Sequence, residues 1–207
     1  METLFIPAKR KLNLNIKKVE AISKKLPKNI ALAYSIQYKK IAFEIKEILS
    51  KTKTITKLVQ VLGCSKPNFP KETRAILLIG SGKFHATSLA LETKLPVYIL
   101  EHNHFEKLLK KDIDVLRKRQ KTAYLKFLHA DKIGVLISIK PGQQNLKKAL
   151  EFTKKIKNKK SYLFIGNDIN TNEFENFGLK SWVNTACPRL DMDNNSIINI
   201  EKLNLSY

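Results

Sequence analysis

The chain has 207 residues, 43% of them hydrophobic and 28% charged, and its formal net charge at pH 7 is +21. A chain of this length can bury a hydrophobic core without a disulfide framework, and its apolar runs fall well short of the roughly 18 residues that a membrane helix needs. We therefore expect a soluble protein without a membrane segment. We also expect it to be cytoplasmic, because the short apolar run at residues 4–8 precedes the first basic cluster, whereas in a signal peptide the basic residues come first.

The positive charge is spread along the chain rather than gathered in one block. Only five of the 39 basic side chains are arginine, the residue whose guanidinium makes bidentate hydrogen bonds with phosphates and base edges. A lysine-rich solvated surface is the simplest interpretation of this pattern. A basic nucleic-acid or ribosome-binding module is an alternative that the charge favours, but neither an RNA-stacking aromatic motif nor a helix-turn-helix pattern supports it. We therefore expect no nucleic-acid partner.

The first half of the chain alternates between strand and helix patterns. Continuous apolar runs at residues 29–35 and 74–80 are typical of strands that are buried on both faces of a parallel sheet. Between such runs, apolar residues recur at helical spacing, and Pro27 closes the first helix. We predict strands at residues 3–8, 29–35, 59–63, 74–80 and 96–100, and helices at residues 16–26, 38–51 and 86–92.

The second half repeats this alternation after one long, heavily charged helical stretch at residues 104–130. Asn170 and Glu173 resemble a capping box and Gly178 suits a left-handed helix end, so we predict a short helix there. The last predicted strand covers residues 182–185. The other predicted elements are strands at residues 133–139 and 162–165 and a helix at residues 146–156.

Alternating strands and helices with short connections predict an α/β fold. We expect two related small domains, each a parallel sheet flanked by helices, at residues 1–105 and 106–207. In such sheets, ligands bind at the carboxyl ends of the strands. Of the two cysteines, Cys64 directly follows a predicted strand and Cys187 lies two residues after another, and each precedes a turn that contains proline.

The two cysteines are too far apart in sequence for a local metal motif. A single cysteine is most often a small buried hydrophobic residue, but two at strand ends favour ligands of a soft metal or of an iron–sulfur cluster. Two thiolates are too few for a closed site, and the four histidines show no ligand-pair spacing that would complete a zinc site. These residues alone leave the kind of centre open.

Two other segments near strand ends have both a structural and a functional interpretation. Arg189 is either a surface charge or a bidentate clamp for a carboxylate. Asp191 and Asp193 are most simply turn formers, with metal binding as the less favoured alternative. The glycine-rich segment at residues 80–83 matches neither a phosphate-binding P-loop nor a dinucleotide fingerprint, so a tight turn from strand to helix is its simplest interpretation. The functional alternative is that its backbone N–H groups approach a ligand.

Five segments occur in the order TLFIPA (residues 3–8), QVLGC (60–64), GSGKFH (80–85), LISIKPGQ (136–143) and VNTACPRL (183–190), and the Leu-Gly-Cys and Ala-Cys-Pro-Arg motifs within them are specific in combination. Together they resemble motifs of the archaeal diphthamide biosynthesis enzyme family, the 2-(3-amino-3-carboxypropyl)histidine synthases. The resemblance implies three related α/β domains, each of which supplies one cysteine to a single 4Fe-4S cluster. It further implies that S-adenosylmethionine is cleaved to a 3-amino-3-carboxypropyl radical, which adds to a histidine of elongation factor 2 in the first step of diphthamide synthesis.

The resemblance also implies roles for individual residues. Cys64 corresponds to the cluster ligand of the family's middle domain and Cys187 to that of its C-terminal domain. Arg189 and Gln143 correspond to contacts with the carboxylate and amino end of the methionine moiety. His85, in the third motif, is expected to lie near the cofactor site, without an assigned role.

The family's N-terminal domain, with its own cysteine, has no counterpart among these residues. We therefore expect a split enzyme, in which a separate chain carries that domain and supplies the third cysteine. The alternative is a non-catalytic accessory subunit of the same enzyme. Either a homodimer or a heterodimer is compatible with the resemblance.

Overall fold

The computed structural model describes Leu4, Ile6, residues 15–62 and residues 65–203, with the exception of the side chain of Asp193. The predicted strand at residues 3–8, apart from Leu4 and Ile6, and Cys64 therefore lie outside the described residues. The chain divides into two compact units, Met1–Ile113 and Asp114–Tyr207. No helix in the described ranges is both long enough and apolar enough to cross a membrane.

The first unit is built on a five-stranded sheet in the order β2-β1-β3-β4-β5. Neighbouring strands are parallel except β4 and β5, which are antiparallel. Its elements, in chain order, are α1 (Ile16–Ser23), β1 (Asn29–Tyr34), a 3₁₀ turn (Ile36–Tyr38), α2 (Lys39–Ser50), β2 (Thr54–Gln60), β3 (Ala75–Ile79), α3 (Lys83–Thr93), β4 (Val97–Glu101) and β5 (His104–Lys107).

Helices cover both faces of this sheet, which explains the continuous apolar runs of β1 and β3. Ile30 and Leu32 point to the face that α1 and α2 cover, where Ile45 is fully buried. Ala31 and Ala33 point to the opposite face, and they pack in a cluster with residues of α3. Burial on both faces selects apolar residues at every position, so the sequence alternation of a half-exposed strand is absent.

Two sequence predictions in this unit are wrong. The strand predicted at residues 59–63 instead covers Thr54–Gln60 (β2), because it pairs in parallel with the whole of β1, from Asn29 to Tyr34. Residues 104–107 form the edge strand β5 instead of the start of a helix. There Phe105 stacks on Tyr98 of β4 with ring centroids 5.6 Å apart, so an aromatic contact across the strands outweighs the helical propensity of the charged neighbours.

The second unit is built on a four-stranded, fully parallel sheet in the order β7-β6-β8-β9. The long helix that precedes it begins within the last residues of the first unit. The elements are α4 (Lys110–His129), β6 (Lys132–Ser138), α5 (Leu146–Lys155), β7 (Lys160–Gly166), a 3₁₀ helix (Thr171–Phe177), β8 (Trp182–Asn184), α6 (Leu190–Asp193), β9 (Ile197–Asn199) and a 3₁₀ turn (Ile200–Lys202).

Two hydrophobic clusters hold this second sheet. Phe127 of α4 and Phe152 of α5 pack with the residues of β6 that point to one face. On the other face Trp182 is 1% exposed and stacks on Phe174, with ring centroids 4.1 Å apart. The predicted α/β class, with two mainly parallel sheets flanked by helices, is confirmed.

Two details of the second unit differ from the sequence prediction. The short helix after Asn170 is a 3₁₀ helix, in which the Asn170 side chain accepts a hydrogen bond from the Asn172 N–H and Gly178 ends the helix with φ of 61°. The strand at residues 182–185 is not the last one, because β9 follows it and pairs with it in parallel. β9 covers only Ile197–Asn199, and its pairing with β8 defines it as a strand.

Candidate active site

A pocket of about 210 Å³ opens in the second unit, at the carboxyl ends of β6, β7 and β8. This is the edge of a parallel sheet at which ligands are generally bound, because the loops that follow each strand converge there. Each of the three strands contributes through the loop that follows it. The pocket is lined by Ser138, Lys140, Gln143, Asn167, Asp168, Ile169, Ala186, Cys187 and Leu190.

Two residues singled out from the sequence, Gln143 and Cys187, line this same pocket. Gln143 follows β6 in a tight turn, in which its N–H donates to the Lys140 carbonyl at 3.0 Å. Gly142 has φ of 77° in that turn, a conformation that residues with a side chain rarely adopt. Cys187 follows β8 and is half-buried. The turn and the strand end therefore bring an amide and a thiol to one cavity.

The pocket also contains charges of both signs, which the sequence interpretation did not identify. The Lys140 ammonium and the Asp168 carboxylate form an ion pair, and both side chains remain substantially exposed to solvent. Lys140 lies within the fourth family motif, so the sequence held a signal for it. Asp168 follows β7 in an ordinary turn sequence, and only the pairing of β6 with β7 places it beside Lys140.

The Cys187 loop is tied to the centre of the sheet. The Thr185 hydroxyl donates to the Leu136 carbonyl at 2.8 Å, and the Thr185 N–H donates to the same carbonyl at 3.1 Å. Thr185 is 4% exposed, so these hydrogen bonds are shielded from water. The loop therefore leaves the sheet from a fixed point, two residues before the thiol.

Asp191 is a buried carboxylate, not a simple turn former. Its side chain is 1% exposed, and its Oδ2 accepts from Lys202 Nζ at 2.5 Å. Burial raises the pKa of the Asp191 carboxyl above its ordinary value, and the positive charge of Lys202 opposes this effect in part. Its Oδ1 is buried and has no hydrogen-bond partner among the described residues. The carboxyl group thus anchors α6, which directly follows the Cys187 loop.

The other predicted site residues that the structure describes, Arg189 and His85, are not part of this pocket lining. Arg189 is exposed at the start of α6, and it is not among the described residues that line the pocket. His85 belongs to the first unit, in the first turn of α3, where its ring lies edge-on to Phe84. The structure does not describe Cys64. Of the five candidates, only Gln143 and Cys187 are thus brought together within the described part of one unit.

The glycine-rich segment before His85 forms the tight turn expected from its sequence. β3 ends at Ile79, and α3 begins at Lys83. Gly82 joins them with φ of 78°, and its N–H donates to a carboxylate oxygen of Glu101 at 3.4 Å. One backbone N–H of this turn, that of Gly82, is therefore bonded to a side chain of the protein itself.

The donors present suit an iron–sulfur cluster in kind but not in number. A thiolate is the ligand that such clusters require, and Cys187 offers one beside a polar pocket. Within the ranges that the structure describes, no group of three or more His, Cys, Asp or Glu side chains is arranged to hold a metal ion. The whole sequence contains two cysteines, one fewer than the resemblance implies for the cluster.

Comparison with known proteins identifies relatives over nearly the whole chain. The 2-(3-amino-3-carboxypropyl)histidine synthase of Pyrococcus horikoshii is 29% identical over 92% of this chain and 60% of its own length. The enzyme of the same name from Methanocaldococcus jannaschii is 28% identical over 93% of this chain and 57% of its own length. The chain therefore spans about 60% of the length of these curated relatives.

Solved structures give the same result for the fold. The crystal structure of Dph2 from Pyrococcus horikoshii matches with a TM-score of 0.74 and 29% identity, over 89% of this chain and 58% of that one. A second crystal structure of that protein, with a 4Fe-4S cluster, matches with a TM-score of 0.73. The family model described as "Putative diphthamide synthesis protein" matches residues 1–197, and the chain belongs to this family.

Proposed function

We propose that this chain forms part of an enzyme that transfers the 3-amino-3-carboxypropyl group of S-adenosylmethionine to a histidine of elongation factor 2, the first step of diphthamide synthesis. In this proposal Cys64 and Cys187 are two ligands of a 4Fe-4S cluster, one from each of the domains proposed at residues 1–105 and 106–207. When bound, the cluster would supply the electron that cleaves the bond from sulfur to carbon. Family membership and the relatives' names support the reaction class.

One observation carries the proposal: Gln143 and Cys187 line the same pocket. A cluster held by the Cys187 thiolate would lie beside the Gln143 amide. An amide can donate to a carboxylate through nitrogen and accept from an ammonium through oxygen. Gln143 is therefore suited to hold the methionine end of S-adenosylmethionine next to the cluster.

The ion pair at the mouth of the pocket fits the same ligand. The methionine moiety carries an ammonium and a carboxylate, and Asp168 and Lys140 offer the complementary charges. Both side chains are partly exposed, so they can exchange their mutual contact for contacts with a ligand at little cost in desolvation. We assign Arg189 to the carboxylate as well, since a guanidinium can bind it in bidentate fashion, and His85 to the surroundings of the cofactor.

The third thiolate must come from outside these two cysteines. We propose that a separate chain carries the N-terminal domain and its cysteine, and that the enzyme assembles as a homodimer or a heterodimer. The count of two cysteines supports this arrangement. The same count motivates the alternative, a non-catalytic accessory subunit that positions elongation factor 2.

The assigned role of Gln143 can be tested against its neighbour. In the assembled complex, Gln143→Ala removes a hydrogen bond to a charged group of S-adenosylmethionine, so we expect the KM for this substrate to rise by about ten- to a hundredfold. Gln144→Ala is the matched control, because Gln144 is exposed and is not part of the pocket lining. The assay follows transfer of the labelled 3-amino-3-carboxypropyl group to elongation factor 2.

Equal KM values in the two glutamine variants would contradict the assignment of Gln143. The variant Cys187→Ala distinguishes the proposed enzyme from a non-catalytic accessory subunit. Transfer that persists at the wild-type rate in Cys187→Ala would reject a cluster-ligand role for this residue and support the accessory subunit.

A further inference from the structure

A group of asparagine side chains holds the loop that carries Cys187. Asn184 is the last residue of β8, Asn199 is the last residue of β9, and the two are direct partners in the parallel register. They are 2% and 7% exposed, so both amides are buried at the strand ends. We call these two residues the asparagine clamp.

The side-chain hydrogen bonds that the clamp makes with described residues hold the Cys187 loop or join the two amides. Asn184 Nδ2 donates to the Cys187 carbonyl at 2.8 Å and to Asn199 Oδ1 at 2.5 Å. Asn184 Oδ1 accepts from the Ala186 N–H at 2.9 Å. Asn199 Nδ2 donates to the Pro188 carbonyl at 2.9 Å. The amides therefore form hydrogen bonds with backbone groups of Ala186, Cys187 and Pro188, on both sides of the thiol.

A third asparagine connects this loop to the one that carries Gln143. Asn145 occupies the N-cap position of α5, where an asparagine side chain usually caps the helix, but it makes no such bond. Its Nδ2 instead donates to the Thr185 carbonyl at 2.7 Å. The same nitrogen lies 3.4 Å from the Gln143 carbonyl. One side chain thus bridges the two pocket loops.

Burying two amides is unfavourable unless each polar atom finds a partner. A pair of leucines at the strand ends would bury apolar surface, but it would leave the carbonyls of Cys187 and Pro188 without donors. A fully connected network fixes the amide orientations as well as the loop, because only one assignment of oxygen and nitrogen satisfies all of its bonds. The two amides therefore hold the loop in one position, although a pair of leucines would bury more apolar surface.

We infer that Asn184 and Asn199 are positioning residues for the Cys187 sulfur and that Asn145 fixes the separation of Cys187 from Gln143. This inference rests on the proposed role of Cys187 as a cluster ligand. A ligand held in place before the cluster binds loses less conformational entropy on binding. The clamp acts through the backbone and touches neither cofactor nor substrate.

The inference can be tested on the full-length, cluster-free chain. Asn199→Asp and Asn184→Asp keep the size of the side chain but remove a donor at neutral pH, so the loop should open more often. Asn199→Asp removes one donated hydrogen bond and Asn184→Asp removes two. We expect iodoacetamide to alkylate Cys187 about tenfold faster in Asn199→Asp at pH 7.5, the factor that loss of one net hydrogen bond produces, and at least as much faster in Asn184→Asp. Mass spectrometry of the Cys187 peptide separates this rate from that of Cys64.

Two controls distinguish positioning from a general loss of stability. Phe152→Leu thins the core of the same unit away from the loop, and it should lower the melting temperature without accelerating alkylation of Cys187. Asn172→Asp changes an exposed asparagine in this unit and should leave the rate unchanged.

Rates in both clamp variants within twofold of the wild-type rate would overturn the inference, and so would an equal acceleration in Phe152→Leu. Failure of the assembled wild-type protein to bind a cluster would contradict the proposed function instead. The alkylation experiment is made without iron, so its result does not depend on whether a cluster binds.

Discussion

At the scale of single residues, the pocket combines side chains of different predictability. Gln143 and Cys187 lie in motifs that resemble a known family, so they could be found from the sequence. Asn199 could not, because its partners, Asn184 and the Pro188 carbonyl, are defined by the pairing of β8 with β9. Hydrogen bonds between residues distant in sequence leave no local pattern, so the residues that make them can be identified only from the fold.

Asp191 belongs to this less predictable group, since its sequence context suggests only a turn. Its burial has a definite consequence for the pH dependence of stability. A carboxyl whose pKa is raised in the folded state holds a proton that the unfolded chain, at its ordinary value of 3.8, has already released. The folded state is therefore favoured at low pH, and this contribution is lost as the pH rises through the folded-state pKa.

The variant Asp191→Asn removes this titration. We expect the melting temperature of the wild-type chain to fall relative to that of Asp191→Asn as the pH increases from 3.8, and the difference to become constant above the raised pKa. Lys202→Met should make the total fall larger and extend it to higher pH, because Lys202 opposes the effect of burial. Fluorescence of Trp182, the single tryptophan, follows unfolding of the second unit. A wild-type chain that gains stability relative to Asp191→Asn over this interval would show that the ion pair dominates.

At the scale of secondary structure, the predictable elements are the long ones with a clear pattern. The buried strands β1, β3 and β6 and the helices α1 and α5 follow the sequence prediction closely, because burial on both strand faces or on one helix face leaves a strong pattern. The edge strand β5 and the three-residue strand β9 were missed. Both depend on neighbours that are supplied by tertiary pairing.

One packing contact inside the second sheet gives a direct test of its core. Gly134 of β6 lies opposite Trp182 of β8, and a Cβ at position 134 would overlap the indole ring. We expect Gly134→Ala to lower the free energy of unfolding of the second unit by about 1–3 kcal/mol, the usual cost of overpacking. Urea unfolding followed by Trp182 fluorescence measures the change.

Gly166→Ala is the matched control for this substitution. Gly166 ends β7, and an added Cβ there would make only ordinary contact, 3.4 Å from the Asp168 carbonyl oxygen. We expect its effect to remain within about 0.5 kcal/mol. Equal destabilisation by the two substitutions would contradict the packing of Trp182 on Gly134.

At the scale of the whole molecule, two α/β units with separate cores carry one cysteine each. The fold class follows from the alternating patterns, but the completeness of the proposed cluster site does not, because the thiolates that it would need depend on which chains assemble. The net charge of +21 adds a long-range positive field. Such a field accelerates association with an acidic protein partner more than it strengthens the final complex.

The central claim is that both cysteines of this chain ligate one iron–sulfur cluster together with a thiolate from a partner chain. Anaerobic reconstitution with that partner, monitored by absorption and electron paramagnetic resonance, tests it most directly. We predict the spectrum of a 4Fe-4S cluster in the wild-type complex and in Gln143→Ala, and its collapse in Cys64→Ala and in Cys187→Ala. A wild-type spectrum in both cysteine variants would contradict the claim.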